Sequence, residues 1–226
     1  MNNVLIIAKG VKYIDILLRD YHLIEGRANF IIYTDEINRV KDSIPTADIR
    51  KYIPSTFRYF DKYSLTYLLT QEKQTPVLYL DVGRLNVDFY RALLDFKADK
   101  VEDIYTNSNW EGIESANELY NINLPYIEYG YFNNILDLIK SKKINLSKIV
   151  PLLERIFIFP FSLKLGSVIE ELENLRTIFE SNSINKQNVY AGVGNGEGLA
   201  LGYALVKTGT KRFFLRDIPI QPTSII

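Results

Sequence analysis

The sequence predicts an α/β fold: a single domain with a mostly parallel sheet flanked by helices. Three observations predict it. Short runs of β-prone apolar residues recur along the chain at Val4–Ala8, Ala28–Tyr33, Val77–Leu80, Val101–Tyr105 and Ile156–Phe159. Between them lie segments whose apolar residues return at helical spacing. The first three runs end in Lys9-Gly10, Thr34-Asp35 and Asp81-Val82-Gly83, turn-forming or acidic residues at the strand end where open α/β sheets bind ligands.

Taken in order, Val4 to Ala8 reads as a buried strand with Lys9-Gly10 as its exit turn. Ile14, Leu17, Leu18 and Tyr21 then mark a helix. Ala28 to Tyr33 is a second buried strand, and two such strands joined by a helix predict a parallel pair with a right-handed crossover. The stretch containing Pro45 and Pro54 reads as irregular. Phe57, Phe60, Leu65, Leu68 and Leu69 mark a helix leading into Val77–Leu80, where Pro76 is tolerated because it stands at the strand's start. Asn86 to Lys97 reads as helical, with Phe89, Leu93 and Phe96 on one face, and Val101–Tyr105 as a fourth strand.

Thr106 to Gly130, rich in Asn and Tyr and holding Trp110, reads as long loops. Ile135, Leu138 and Ile139 mark a short helix and Ile149–Leu153 another. Pro160 stops the late strand Ile156–Phe159. Val168, Ile169, Leu172, Leu175, Ile178 and Phe179 form one face of an amphipathic helix. Leu199 to Val206 is apolar on most sides, which predicts a buried helix closed by Gly209. No repeat or linker divides residues 1–226, so one domain is expected.

Composition narrows the chemistry. Lys+Arg and Asp+Glu are each 27, so there is no basic excess of the kind that holds nucleic acid through phosphate charge. There is no Cys and a single His, His22, placed near the end of the first helix. Disulfides, thiolate chemistry and histidine-rich zinc sites are therefore excluded. Carboxylates, Lys, Arg, Tyr or a metal ion must carry whatever reaction occurs. No apolar stretch reaches the ~20 residues of a spanning helix, and Val4–Ala8 is too short for the core of a secretory leader. A cytoplasmic chain without a membrane span is expected.

Asp81 is the leading candidate residue. A carboxylate at a strand's carboxyl end can hold a divalent cation, and the cation a diphosphate. Asp-x-Gly is equally ordinary turn chemistry. Thr34-Asp35 can accept hydrogen bonds from a ribose or base, or simply cap a turn. Arg58 and Lys62, one helical turn apart, can face a diphosphate or water. Gly192, Gly194, Gly196 and Gly198 form neither GxGxxG nor GxxxxGK[ST]. They read instead as a tight turn that sets Glu197 at the start of the buried helix, where the dipole favours a carboxylate.

The order of these signals resembles the nucleotide-sugar glycosyltransferases of the GT-A fold. The strand ending Tyr33-Thr34-Asp35, the helix bearing Lys62-Tyr63 and the strand ending Leu80-Asp81-Val82-Gly83 carry the resemblance, with Gly196-Glu197-Gly198 similar to the family's late acidic element. The family's central strand ends in DxD, and here Gly83 stands for the second Asp. The resemblance implies a donor-binding half, residues 1–100, and an acceptor-side half, residues 101–226. Binding of the donor, a UDP-sugar, would fall to Ala8, Lys9, Gly10, Tyr13, Thr34, Asp35, Arg58, Lys62, Asp81, Val82 and Gly83. Asp81 would hold Mn²⁺ or Mg²⁺, with Asp88 the nearest second acid in sequence. Glu197 would be the catalytic carboxylate, and Trp110, Tyr129 and Gly196 would meet the acceptor, a glycan or lipopolysaccharide precursor or a hydroxymethylated DNA base. A sugar-nucleotide nucleotidyltransferase and a non-catalytic binding protein are the alternatives.

Overall fold

The computed structural model describes residues 1–55, 60–107, 114–119, 141, 145–152, 155–181 and 196–218. Seven strands form one sheet: β1 (Asn3–Ala8), β2 (Asn29–Thr34), β3 (Asp48–Lys51), β4 (Val77–Leu80), β5 (Ile104–Thr106), β6 (Ile156–Phe159) and β7 (Arg212–Phe214). Their order is β3-β2-β1-β4-β6-β5-β7. β1, β2, β3 and β4 are parallel, β6 runs antiparallel to both its neighbours, and β7 pairs parallel with β5. The expected parallel pair of the first two strands is present in register, Asn3 opposite Asn29 and Ala8 opposite Thr34.

The described helices are α1 (Val11–Asp20), α2 (Ile37–Ser43), α3 (Asp61–Lys73), α4 (Asp88–Ala92), α5 (Ala116–Leu119), α6 (Leu163–Ser181) and α7 (Gly196–Thr208). Side chains alternate across a strand, so the apolar runs supply two cores. Leu5, Ile31, Val77, Tyr79, Phe157 and Phe159 face α3, α6 and α7. Val4, Ile6, Ala8, Ile32, Leu78 and Leu80 face α1, α2 and α4. The central strands β1 and β4 are thus covered on both sides, which is why their sequences are continuously apolar.

α7 is buried nearly all round, through Leu199, Ala200, Leu201, Tyr203 and Ala204. It lies so close to the segment after residue 148 that a Cβ on Gly202 would stand 2.2 Å from the Val150 carbonyl oxygen.

Several expectations need correction. The stretch around Pro45 and Pro54 holds α2 and β3. β3 is Asp48-Ile49-Arg50-Lys51, an edge strand whose charged side chains suit its exposure, so no apolar run marks it. Arg50 bonds both Asp48 and Glu72, and its hydrogen bonds to Glu72, with Lys73 beside them, lower the Glu72 carboxyl to about 2. β7 spans only three residues and escapes periodicity in the same way. The helix expected over Asn86–Lys97 is one short turn-and-a-half, α4, running into a 3-10 turn at Leu93–Asp95. Of the expected face, Leu93 and Phe96 are buried, with Tyr90 and Leu94 beside them, whereas Phe89 is 43% exposed. Ile149 to Leu152 is not helical; the Ile149 carbonyl accepts from the Ala116 amide at 2.7 Å. The fourth strand is shifted to Ile104–Thr106. The helix expected at Ile135–Ile139 lies outside the described residues.

Gly202→Ala should be destabilising by about 1–3 kcal/mol, the usual cost of overpacking. Chemical denaturation checks it, with Ala204→Gly on the same helix separating this clash from ordinary helix propensity.

Candidate functional site at the carboxyl edge

Strand order locates the site. From β1 the chain moves outward through β2 to β3, then returns to place β4 on β1's other side. That reversal makes the β1/β4 boundary a topological switch point, and open α/β sheets take ligands beyond the carboxyl ends of the strands at such a point. Ala8-Lys9-Gly10 leaves β1 there, Thr34-Asp35 leaves β2 and Asp81-Val82-Gly83 leaves β4.

Local chemistry holds these loops together. Gly10 adopts φ +77°, a conformation that favours glycine, and turns the chain from β1 into α1. Its amide donates to Asp35 Oδ1 at 3.0 Å, so the β1 and β2 exits are joined directly. Thr34 is fully buried; its Oγ1 accepts from the Glu36 amide and its carbonyl from the Tyr52 amide. Asp81 Oδ1 accepts from the Gly83 amide at 3.5 Å, which caps the 3-10 turn Val82–Arg84. Val82 is buried in the core beneath α1, while Lys9 is partly exposed and Tyr13 is 48% exposed. Gly83 is exposed, has no positive φ, and a Cβ built on it meets nothing within 4 Å.

A second cluster sits on the same edge over the opposite face. α3 precedes β4 and α7 precedes β7, so both helices begin at the carboxyl edge. Lys62, in the first turn of α3, lies 3.3 Å from Glu197 Oε1, in the first turn of α7. Both are buried, Lys62 to 8% and Glu197 to 3% exposure. Tyr63 donates to the Glu197 carbonyl at 3.0 Å, and its ring packs on Phe157 and Phe159. Asp61, also buried, accepts from the Tyr52 hydroxyl at 2.7 Å and the Ser55 amide at 2.9 Å.

Glu197 and Lys62, separated by 135 residues in sequence, are therefore neighbours. Asp81 stands with the β1 and β2 loops instead. Asp88 does not join it: its side chain is 89% exposed and pairs with Arg91. Among the described residues no three Asp, Glu or His side chains gather as metal ligands. Gly196 opens α7, whereas Arg58, Trp110 and Tyr129 lie outside the described residues. Sequence reasoning missed Asp61 and Tyr52, whose pairing crosses from the β3 exit to α3. It also missed Tyr90, whose hydroxyl accepts from Asn107 just beyond β5 at 3.1 Å while Arg84 lies over its ring. An acid next to Lys62 was the one available signal; the others are ordinary residues made neighbours by the sheet.

Neither a protein-family model nor a curated protein matches the chain.

The buried pair makes a clear prediction. Glu197→Gln leaves the Lys62 ammonium buried beside a neutral amide and should lower stability by about 3–5 kcal/mol. Lys62→Met combined with Glu197→Gln should recover much of that loss. Denaturation of the two single variants and the double variant checks it, and additive losses would show that the charges are not coupled.

Proposed function

We propose that the chain is a glycosyltransferase of the GT-A type, moving a sugar from a nucleoside diphosphate, a UDP-sugar foremost, to an acceptor hydroxyl. One observation carries the reading: the three loops that the resemblance assigns to the donor leave β2, β1 and β4 side by side at the switch point of the sheet. The Gly10–Asp35 hydrogen bond ties two of them into one wall.

In this reading Asp35 and Thr34 border the nucleoside, and Ala8, Lys9, Gly10 and Tyr13 border the donor from the β1 side. Asp81, Val82 and Gly83 lie beside the diphosphate. The residues present suit a divalent cation with few protein ligands: Asp81 makes no ion pair among the described residues, and the space at Gly83 is open. Mg²⁺ is commonly held by one or two carboxylates plus substrate phosphates. Such an ion, Mn²⁺ or Mg²⁺, offsets the charge that develops on a departing diphosphate.

The transfer breaks the bond from the anomeric carbon to the diphosphate oxygen, and its electron pair leaves with the diphosphate. The acceptor oxygen forms the new bond and gives up its proton. Glu197 is the proposed carboxylate for that proton if the reaction inverts the anomeric carbon, and an electrostatic partner of the transferred sugar if it retains. Lys62 holds Glu197 Oε1 in place, so its part is positioning rather than direct neutralisation of the donor. A non-catalytic sugar-nucleotide binder is the second reading. It is favoured by Asp81 capping its own turn and by the burial of both Lys62 and Glu197.

Thermal shifts with UDP, UDP-sugars and Mn²⁺ test the proposal, since a ligand that binds the native state raises its melting temperature. UDP with Mn²⁺ should stabilise the chain, and Asp81→Asn should remove the metal-dependent part while melting normally without ligand. Gly83→Asp should fold normally and strengthen the Mn²⁺ effect. Absence of any nucleotide-dependent shift would reject the reading, and binding without sugar-nucleotide hydrolysis or transfer would favour the second one.

A further inference from the structure

The carboxyl edge carries an unusual surface around the proposed site. Ile53, just past β3, is 74% exposed, and the Tyr52 amide beside it bonds the Thr34 carbonyl at the end of β2. Val11 and Tyr13, in the first turn of α1, are 59% and 48% exposed. Phe89, 43% exposed, packs edge-on against Tyr90, whose hydroxyl meets Asn107 beyond β5. These four apolar side chains border the exits of β3, β1 and β4 along one edge.

Cations stand among them. Lys51 ends β3, Lys9 and Lys12 flank Gly10, and Arg84 follows Asp81. Among the described residues none of the four has an acidic partner; Lys12 and Arg84 lie over the rings of Tyr13 and Tyr90. Of the nearby acids, Asp15 and Glu36 pair with Arg39 and Asp88 with Arg91, while Asp35 and Asp81 accept only from the backbone amides of Gly10 and Gly83. The edge therefore sets four cations without acidic partners against the two unpaired acids Asp35 and Asp81, an excess of positive charge among exposed aliphatic and aromatic groups.

We propose that this edge docks on an anionic lipid bilayer, so that the site opens toward the headgroups and takes an acceptor carried in the leaflet. The charge favours an anionic surface, and the aliphatic groups choose among anionic surfaces. Ile53 and Val11 are the two most exposed of the four and cannot stack on bases, so they gain by entering an apolar layer and not by lying on nucleic acid. No described helix is long and apolar enough to cross a membrane, so attachment here is peripheral. The acceptor class rests on the glycosyltransferase reading; the docking does not.

Co-sedimentation of the full chain with vesicles tests it, using phosphatidylcholine alone and an equal mixture with phosphatidylglycerol. The chain should pellet with the mixed vesicles, weakly with the neutral ones, and less as salt is raised. Ile53→Glu with Phe89→Glu should reduce binding at least tenfold, and Lys51→Glu should reduce it on anionic vesicles only. Leu163→Glu, at a side chain 98% exposed at the opposite edge, should leave binding unchanged. No pelleting with anionic vesicles, equal loss in the Leu163 variant, or tighter binding to single-stranded DNA through the same residues would overturn the proposal. The UDP thermal shift on the same preparations separates the two ideas: docking without a shift would remove the transferase reading, and a shift without docking would remove only the lipid surface.

Discussion

The pairing of β1 with parallel strands on both sides is the constraint on which the rest depends. β1 can be central only if apolar residues cover both its faces, and Val4 to Ala8 supplies them to two separate cores. Once β2 occupies one side and β4 the other, the loops leaving the three strands must emerge together. Gly10 then has to turn sharply with a positive φ, and its amide reaches Asp35 because the β1 and β2 ends are level in register. The grouping of these loops is a consequence of strand order, with the loop residues refining it.

The second constraint is the meeting of α3 and α7. The aromatic layer of Tyr63, Phe157, Phe159 and Tyr79 fixes how α3 lies on β4 and β6. That position allows Tyr63 to reach the Glu197 carbonyl and Lys62 to reach its carboxylate. A cation in the first turn of a helix is opposed by the helix dipole, and burial adds to the cost. Glu197 offsets both. Gly202 serves the same end at the other side of α7, admitting the Val150 carbonyl where any side chain would collide.

Much of the central sheet was legible in the sequence because its strands are buried on both faces and read as unbroken apolar runs. β1, β2, β4 and β6 are legible in this way, α1, α3 and α6 by helical spacing, and α7 by an apolar run closed by Gly209. β3 and β7 were not, since an edge strand needs little apolar surface and Asp48-Ile49-Arg50-Lys51 reads as a loop. Within the site, Thr34-Asp35, Asp81 and Lys9-Gly10 were visible because each follows an apolar run. The Lys62–Glu197 contact was not, because it joins residues 135 apart and no local pattern encodes it. Asp61 and Tyr90 were hidden for the same reason: their partners, Tyr52 and Asn107, come from other elements.

Backbone amide NMR of the chain titrated with UDP and Mg²⁺ tests the central claim most directly, because it reports where a nucleoside diphosphate sits without requiring turnover. The account predicts that the amides of Lys9, Gly10, Asp35 and Gly83 shift together and saturably, while those of β3's amino end and of the α6 start stay fixed. Shifts confined to the opposite edge of the sheet, or none in the β1 and β4 exit loops, would contradict it.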